Sequence, residues 1–285
     1  MTDNSLLYNS YLSRFEDYAH AVFDRLCGNE TLVSAMKYSL FNGGKRIRAV
    51  LALSFADLLS VPGEQALPIS LAIECIHAYS LIHDDLPALD NDDFRRGKPS
   101  NHKVYGEAVA IIAGDALLNF AYETLFSLKG ERARAAARYV ADCAGYCGML
   151  GGQAYDLQSE NASGEDYLYK IDEGKTCALI KAPVVAMAYL AGRDIRGFEK
   201  FGEDLGLLFQ FTDDILDVTG DSAKLGKTVG KDQAENKLTA VSVYGLDGAK
   251  ERVTERTRAC VDFLRDIPDS EFIVWLVKKI SKRDR

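Results

Sequence analysis

The chain has 285 residues, of which 47% are hydrophobic and 27% charged, with a formal net charge of −8. This composition suits a globular chain with an ample core and excludes a disordered one, while the acidic balance argues against a general nucleic-acid binder. No run of about 18 uncharged apolar residues stands out, so no integral membrane segment is expected. The acidic N-terminus does not read as a secretory signal, and the expected compartment is the cytoplasm.

The predicted elements are helices. Residues 46–60, 68–83 and 105–128 are rich in Ala and Leu, their apolar residues recur at three- and four-residue intervals, and they outrun ordinary strands. The stretches 131–150, 176–192, 197–219 and 248–266 repeat the pattern. Only six prolines occur, and the alternation of β-branched residues that marks strands is scarce. Punctuation falls at Asn42-Gly43-Gly44, Val61-Pro62-Gly63-Glu64, Arg95-Arg96-Gly97-Lys98-Pro99 and Gly220-Asp221. The expected fold class is all-α, a single domain over residues 1–285 with about ten or more helices, most of them mutually buried. Six cysteines show no metal-ligand spacing and are expected to be free thiols.

Two basic clusters stand against the acidic average, Lys45-Arg46-Ile47-Arg48 and Arg95-Arg96-Gly97-Lys98. Each alone reads as a solvated face or as a site for a small anion. Acid is concentrated where apolar helices should not carry it. The first such segment places Asp84, Asp85, Asp90, Asp92 and Asp93 within ten residues, with Pro87 between Asp84 and Asp90. Proline ends or kinks a helix, so Asp90 can swing back beside Asp84 on a widened turn. A helix cap does not explain five aspartates, and a calcium loop would need alternating acids and a closing glutamate. The second segment is Phe209-Gln210-Phe211-Thr212-Asp213-Asp214-Ile215-Leu216-Asp217. On a helix, Asp213 and Asp217 stack on one face about 6 Å apart and repel. A divalent cation removes that penalty, and carboxylates without Cys or His point to Mg²⁺.

These residues together resemble the trans-isoprenyl diphosphate synthases, most closely the bacterial farnesyl diphosphate synthases. The likeness runs from Gly43-Gly44-Lys45-Arg46 to about Lys237 and includes the closing Lys282-Arg283-Asp284-Arg285. Asp84-Asp85…Asp90 matches the family's first aspartate-rich motif, and Asp213-Asp214…Asp217 the second. The resemblance implies an antiparallel helix bundle around a deep central cavity, generally a homodimer. It implies Mg²⁺, three ions per site, held by Asp84, Asp85, Asp90, Asp213, Asp214 and Asp217. It assigns the allylic diphosphate to Arg95, Lys175, Thr176, Gln210, Lys227 and Lys237, with Lys231 a weaker candidate. It assigns isopentenyl diphosphate to Lys45, Arg48, His77 and Arg96. The implied reaction is head-to-tail condensation of isopentenyl diphosphate with dimethylallyl or geranyl diphosphate through an allylic carbocation. Farnesyl diphosphate is the expected product, with geranylgeranyl diphosphate the alternative.

Chain length in this family is set just before the first motif, here by Tyr79 and Ser80. Tyr79 lies about 7.5 Å below Asp84 on an ideal helix and borders the metal-bearing face, which the smaller Ser80 shares. Two departures are visible: Leu238-Thr239-Ala240 follows Lys237, and Cys177 replaces the glycine usual after Lys175-Thr176. A terpene cyclase would carry a different second metal motif and no second anion pocket. A non-catalytic prenyltransferase subunit commonly loses one aspartate motif.

Overall fold

The computed structural model describes residues 3–220 and 237–283. Along the chain run α1 (Asn4–Phe23), α2 (Glu30–Leu40), α3 (Ile47–Leu58), α4 (Gly63–Asp84), α5 (Asn101–Tyr105), α6 (Glu107–Phe126), α7 (Glu131–Ala144), α8 (Met149–Leu157) and α9 (Glu165–Asp172). A π-helical turn, Glu173–Cys177, then leads into α10 (Ala178–Leu190), α11 (Arg196–Thr219), α12 (Ala240–Leu264) and α13 (Glu271–Ser281). The all-α expectation holds. The segment expected over 105–128 is divided at Gly106 and that over 131–150 at Gly145–Gly148, because helical periodicity in the side chains carries straight through such short breaks.

Helix α4 is the spine. It packs against α3, α6 and α10, and α10 in turn packs against α3, α7 and α11. Both helices are apolar on nearly every side: Ile69, Leu71, Ile73 and Ile76 of α4, and Leu179, Ile180, Val184 and Val185 of α10, are fully buried. Each such side chain contributes roughly 1.5–3 kcal/mol of transfer free energy, and a helix buried all round needs no amphipathic face. Phe201 of α11 is sandwiched between Phe55 of α3 and Phe263 of α12, with ring centroids 5.4 and 5.3 Å away.

By length and composition α4 and α6 are both apolar enough to cross a bilayer, yet neither holds an uncharged run of about 18 residues, since Glu74 interrupts α4 and Asp115 interrupts α6. Two-thirds of the α4 window lies inside the fold, whereas only one-third of the α6 window does. A second difference concerns strands. Phe94–Arg95 and Lys98–Pro99 form a two-stranded antiparallel hairpin, Arg95 opposite Lys98. Both turn residues, Arg96 (φ 54°) and Gly97 (φ 76°), are left-handed, the geometry that matches the twist of a two-residue hairpin. Two-residue strands are too short to show alternation.

Candidate active site

The first acidic segment closes α4. The Asp90 N–H donates to the Asp84 carbonyl at 2.8 Å and the Asn91 N–H to the Leu86 carbonyl at 3.1 Å, with Asn91 left-handed at φ 51°. The chain thus folds back after Pro87 and returns Asp90 to Asp84, as the proline spacing predicts. Burial, with Asp90 and Asp85 nearby, raises the Asp84 pKa to about 6, against the opposing pull of Lys175 and Arg95. The Asp84 carboxylate accepts a hydrogen bond from Gln153 Nε2 of α8 at 3.1 Å. Asp85, also buried, is paired with Arg95, whose Nε lies 2.9 Å from Oδ1 and whose Nη2 lies 3.3 Å from Asp92. The hairpin is therefore docked on the end of α4.

The second acidic segment ends α11. Gln210 Nε2 donates to Asp214 Oδ1 at 2.7 Å, Thr176 Oγ1 donates to Gln210 Oε1 at 2.7 Å, and the Ala240 N–H at the start of α12 donates to Asp214 Oδ2 at 2.7 Å. Asp213 faces Arg283 at 3.0 Å, and that guanidinium also lies 4.7 Å from the centre of the Phe209 ring. Asp217 is 3% exposed, and its Oδ2 has no hydrogen-bond partner among the described residues. Lys237 links the two segments: its Nζ is 3.6 Å from Asp90 Oδ1, and it lines one cavity with Asp214 and Asp217.

Lys175 and Thr176 sit in the π-helical turn and reach the site because α8 and that turn cross backbone to backbone. A Cβ on Gly152 would stand 1.9 Å from the Lys175 nitrogen, and one on Gly174 2.6 Å from Gly152 Cα. Lys175 is paired with Asp156 of α8. Lys227 and Lys231 lie outside the described residues, as do Asp284 and Arg285.

The cations Lys45, Arg48 and Arg96 gather with His77 beside the two acidic segments. Arg96 donates from Nη1 to the Gly43 carbonyl, and its guanidinium covers Gly44, where a Cβ would come within 2.7 Å of Cζ. Arg48 has a buried Nε without a hydrogen-bond partner among the described residues. Burial lowers its pKa to about 10, and Glu74 and Asp213 oppose that fall. His77 of α4 is held neutral, well below the usual imidazole range, by burial and then by Arg48, Arg96, Arg46 and Arg95. Lys45 is exposed at the cluster's edge, and its carbonyl accepts from the Tyr8 hydroxyl. Of the chain-length residues, Tyr79 is buried edge-on to His83, ring centroids 5.8 Å apart. The Ser80 hydroxyl, half-buried, donates to the His77 carbonyl at 3.0 Å.

The donor set fits magnesium. It consists of hard carboxylate oxygens, one of them buried and unpartnered on Asp217 among the described residues, an arrangement that is costly unless a cation completes it. No three His, Cys, Asp or Glu side chains among the described residues converge on one point. Gln153, Asp156 and Glu74 are positions that sequence reasoning passed over. Gln153 and Asp156 each bind a candidate residue, Asp84 and Lys175, Glu74 binds Arg46 and the Ala49 N–H beside Arg48, and no local pattern marks them. Arg283 belongs to the closing basic run noted in the sequence, which carried no role there.

A family model described as polyprenyl synthetase matches residues 29–270. A farnesyl diphosphate synthase of Geobacillus stearothermophilus is 42% identical over 274 residues, 92% of this chain and 91% of its own. A chloroplastic geranylgeranyl pyrophosphate synthase of Catharanthus roseus is 41% identical over 261 residues, 88% of this chain and 73% of its own. The crystal structure of a geranyltransferase from Helicobacter pylori, complexed with magnesium and isoprenyl diphosphate, superposes with a TM-score of 0.82 at 30% identity, covering 98% of this chain and 97% of that one.

Proposed function

The chain belongs to the polyprenyl synthetase family, and on that footing we propose that it extends dimethylallyl and geranyl diphosphate with isopentenyl diphosphate, head to tail, to give mainly farnesyl diphosphate. The observation that carries this reading is the presence of two anion sites of different construction side by side. One is built of carboxylates bridged by Lys237; the other is a cluster of cations around a neutral imidazole, with Glu74 buried behind it.

In the carboxylate site we assign the metal ligands first to Asp84, Asp90, Asp213 and Asp217. Asp85 and Asp214, whose oxygens already accept hydrogen bonds from Arg95 and from Gln210 and Ala240, complete the set and hold it in shape. Magnesium, three ions per site, supplies the positive charge that makes diphosphate a competent leaving group. Arg95, Lys175, Lys227 and Lys237 add to that charge from the protein. Breaking the C1–O bond of the allylic substrate leaves an allylic cation, assigned to the neighbourhood of Thr176 and Gln210, the hydrogen-bonded pair that leads to Asp214. The double bond of isopentenyl diphosphate forms the new C–C bond, and a proton passes to the released diphosphate. Isopentenyl diphosphate is held without metal by Lys45, Arg48, Arg96 and the neutral His77, the guanidinium groups pairing with phosphate oxygens. Chelation by EDTA is expected to abolish turnover, and added Mg²⁺ to restore it, without change in far-UV circular dichroism. Full activity in EDTA would remove the metal assignment.

One domain spanning residues 1–285 is proposed, supported by the family match over 29–270 and by a core that draws on helices from α1 to α13. A homodimer is proposed through α6. That helix is apolar yet leaves Ile111 and Ile112 exposed, with Phe126 at its end 82% exposed and Asp115, Asn119 and Glu123 between them, and large apolar side chains left exposed on one side of a helix favour an association surface. Ile112→Glu is expected to halve the mass measured by sedimentation equilibrium; an unchanged mass would place the interface elsewhere. Action in the cytoplasm is part of the same proposal.

A further inference from the structure

The geometry points to Glu74 as the residue that positions the isopentenyl diphosphate cradle, a role that rests on assigning Lys45, Arg48, His77 and Arg96 to that substrate. Arg46 lies between two members of the cradle but does not join it. It holds φ 47°, ψ 39° immediately before α3, a left-handed conformation that a residue with a Cβ occupies only at a cost. That twist turns its side chain inward, where it is 2% exposed. There its Nε meets Glu16 Oε1 at 2.7 Å, its Nη1 meets Glu74 Oε2 at 3.4 Å, and its Nη2 donates to the Leu40 carbonyl.

Glu74, also 2% exposed, does more than pair with Arg46. Its Oε1 accepts the Ala49 N–H at 3.2 Å, one of the unpaired donors in the first turn of α3. One carboxylate thus grips the chain at 46 and at 49, on either side of Arg48. It does so from α4, three residues before His77 and on the same helix face. The loop and first turn that carry Lys45 and Arg48 are thereby registered against the helix that carries His77. Arg96, seated on the Gly43 carbonyl, follows the same loop. Burial disfavours the charges of Arg46, Arg48 and Arg96, and Glu74 opposes that effect for all three. If Glu74 is lost, residue 46 has less reason to stay left-handed, and relaxation there swings Lys45 and Arg48 out of register with His77.

The test is steady-state kinetics of the full-length enzyme with Mg²⁺, varying isopentenyl and geranyl diphosphate separately. Glu74→Gln is expected to raise KM for isopentenyl diphosphate about tenfold or more, with kcat and KM for geranyl diphosphate changed less than about threefold. Because the buried Arg46 loses a partner, the melting temperature should also fall. Combining Glu74→Gln with Arg46→Met removes both charges of that pair; the melting temperature should rise part of the way back, short of the original because Glu16 and the Leu40 carbonyl lose their partner, while KM for isopentenyl diphosphate stays high. Three results would overturn the role: an unchanged or lower KM for isopentenyl diphosphate in Glu74→Gln, a parallel rise for both substrates, or recovery of KM together with the melting temperature in the double variant. Arg48→Gln run alongside separates the levels. If it raises KM for isopentenyl diphosphate while Glu74→Gln does not, only the role of Glu74 falls. If Arg48→Gln is also silent, the cradle itself is misassigned and Glu74 has nothing to position.

Discussion

Asp84→Asn is expected to lower kcat by about 10³-fold or more and yet to raise the melting temperature of the metal-free protein. Both expectations come from the same placement. Asp84 terminates a buried helix, faces Asp90 and Asp85, and accepts a hydrogen bond across the site from Gln153. Its folded pKa, raised to about 6 by burial from an ordinary 3.8, exceeds that of the unfolded chain. The folded protein therefore holds the proton more tightly, and stability is lost as pH rises between those two values. At neutral pH the ionised carboxylate costs up to about 3 kcal/mol, a ceiling because Asp84 keeps some contact with solvent. An asparagine keeps the shape and the bond from Gln153 and removes the charge that repels its neighbours. It also removes the charge that holds a divalent cation, so stability and turnover should move in opposite directions. Thermal melts in EDTA and product assays in Mg²⁺ check the two halves. More than a tenth of wild-type turnover in the Asp84→Asn enzyme would contradict the metal role; a large drop in its melting temperature would contradict the burial argument.

Tyr79→Ala is expected to shift the main product from fifteen to twenty carbons, one isoprene unit longer. Tyr79 of α4 is 3% exposed, and its hydroxyl has no hydrogen-bond partner among the described residues. It stands about one and a half turns below the metal-bearing end of that helix. The ring acts as bulk. Removing it opens room for about five more carbons and costs about 3–5 kcal/mol of stability, as deletion of a buried aromatic ring usually does. Tyr79→Phe keeps the bulk and deletes an unsatisfied buried hydroxyl, so it should retain the product and lose no stability. Chromatography of dephosphorylated products distinguishes the outcomes. Unchanged farnesyl product from Tyr79→Ala would mean that other side chains form the floor of the cavity.

The parts of the site that were legible in the sequence are those where a residue type is costly in its setting. Five aspartates after an apolar helix, and carboxylates one turn apart at 213 and 217, need a reason, and a cation supplies one. The helix over 197–219 appears as α11, Arg196–Thr219, because its periodicity is long and uninterrupted. What stayed hidden depends on contacts between distant segments. Within Lys45-Arg46-Ile47-Arg48 all three cations look alike, but the left-handed turn at Arg46 sends one into the core and leaves the others toward the site. Glu74 reads as one stray acid in a hydrophobic run until Arg46 and Ala49 are brought to it. The hairpin that aims Arg95 and Arg96 rests on two left-handed residues, and Gln153 reaches Asp84 across 69 positions of chain.

The most direct test of the central claim is product analysis with Mg²⁺, isopentenyl diphosphate and, in separate reactions, dimethylallyl, geranyl or farnesyl diphosphate as primer. The expected result is farnesyl diphosphate from the two shorter primers, with the farnesyl primer left unextended. Extension of the farnesyl primer to twenty carbons would keep the reaction and overturn the product length. No condensation with any primer would contradict the proposed activity itself.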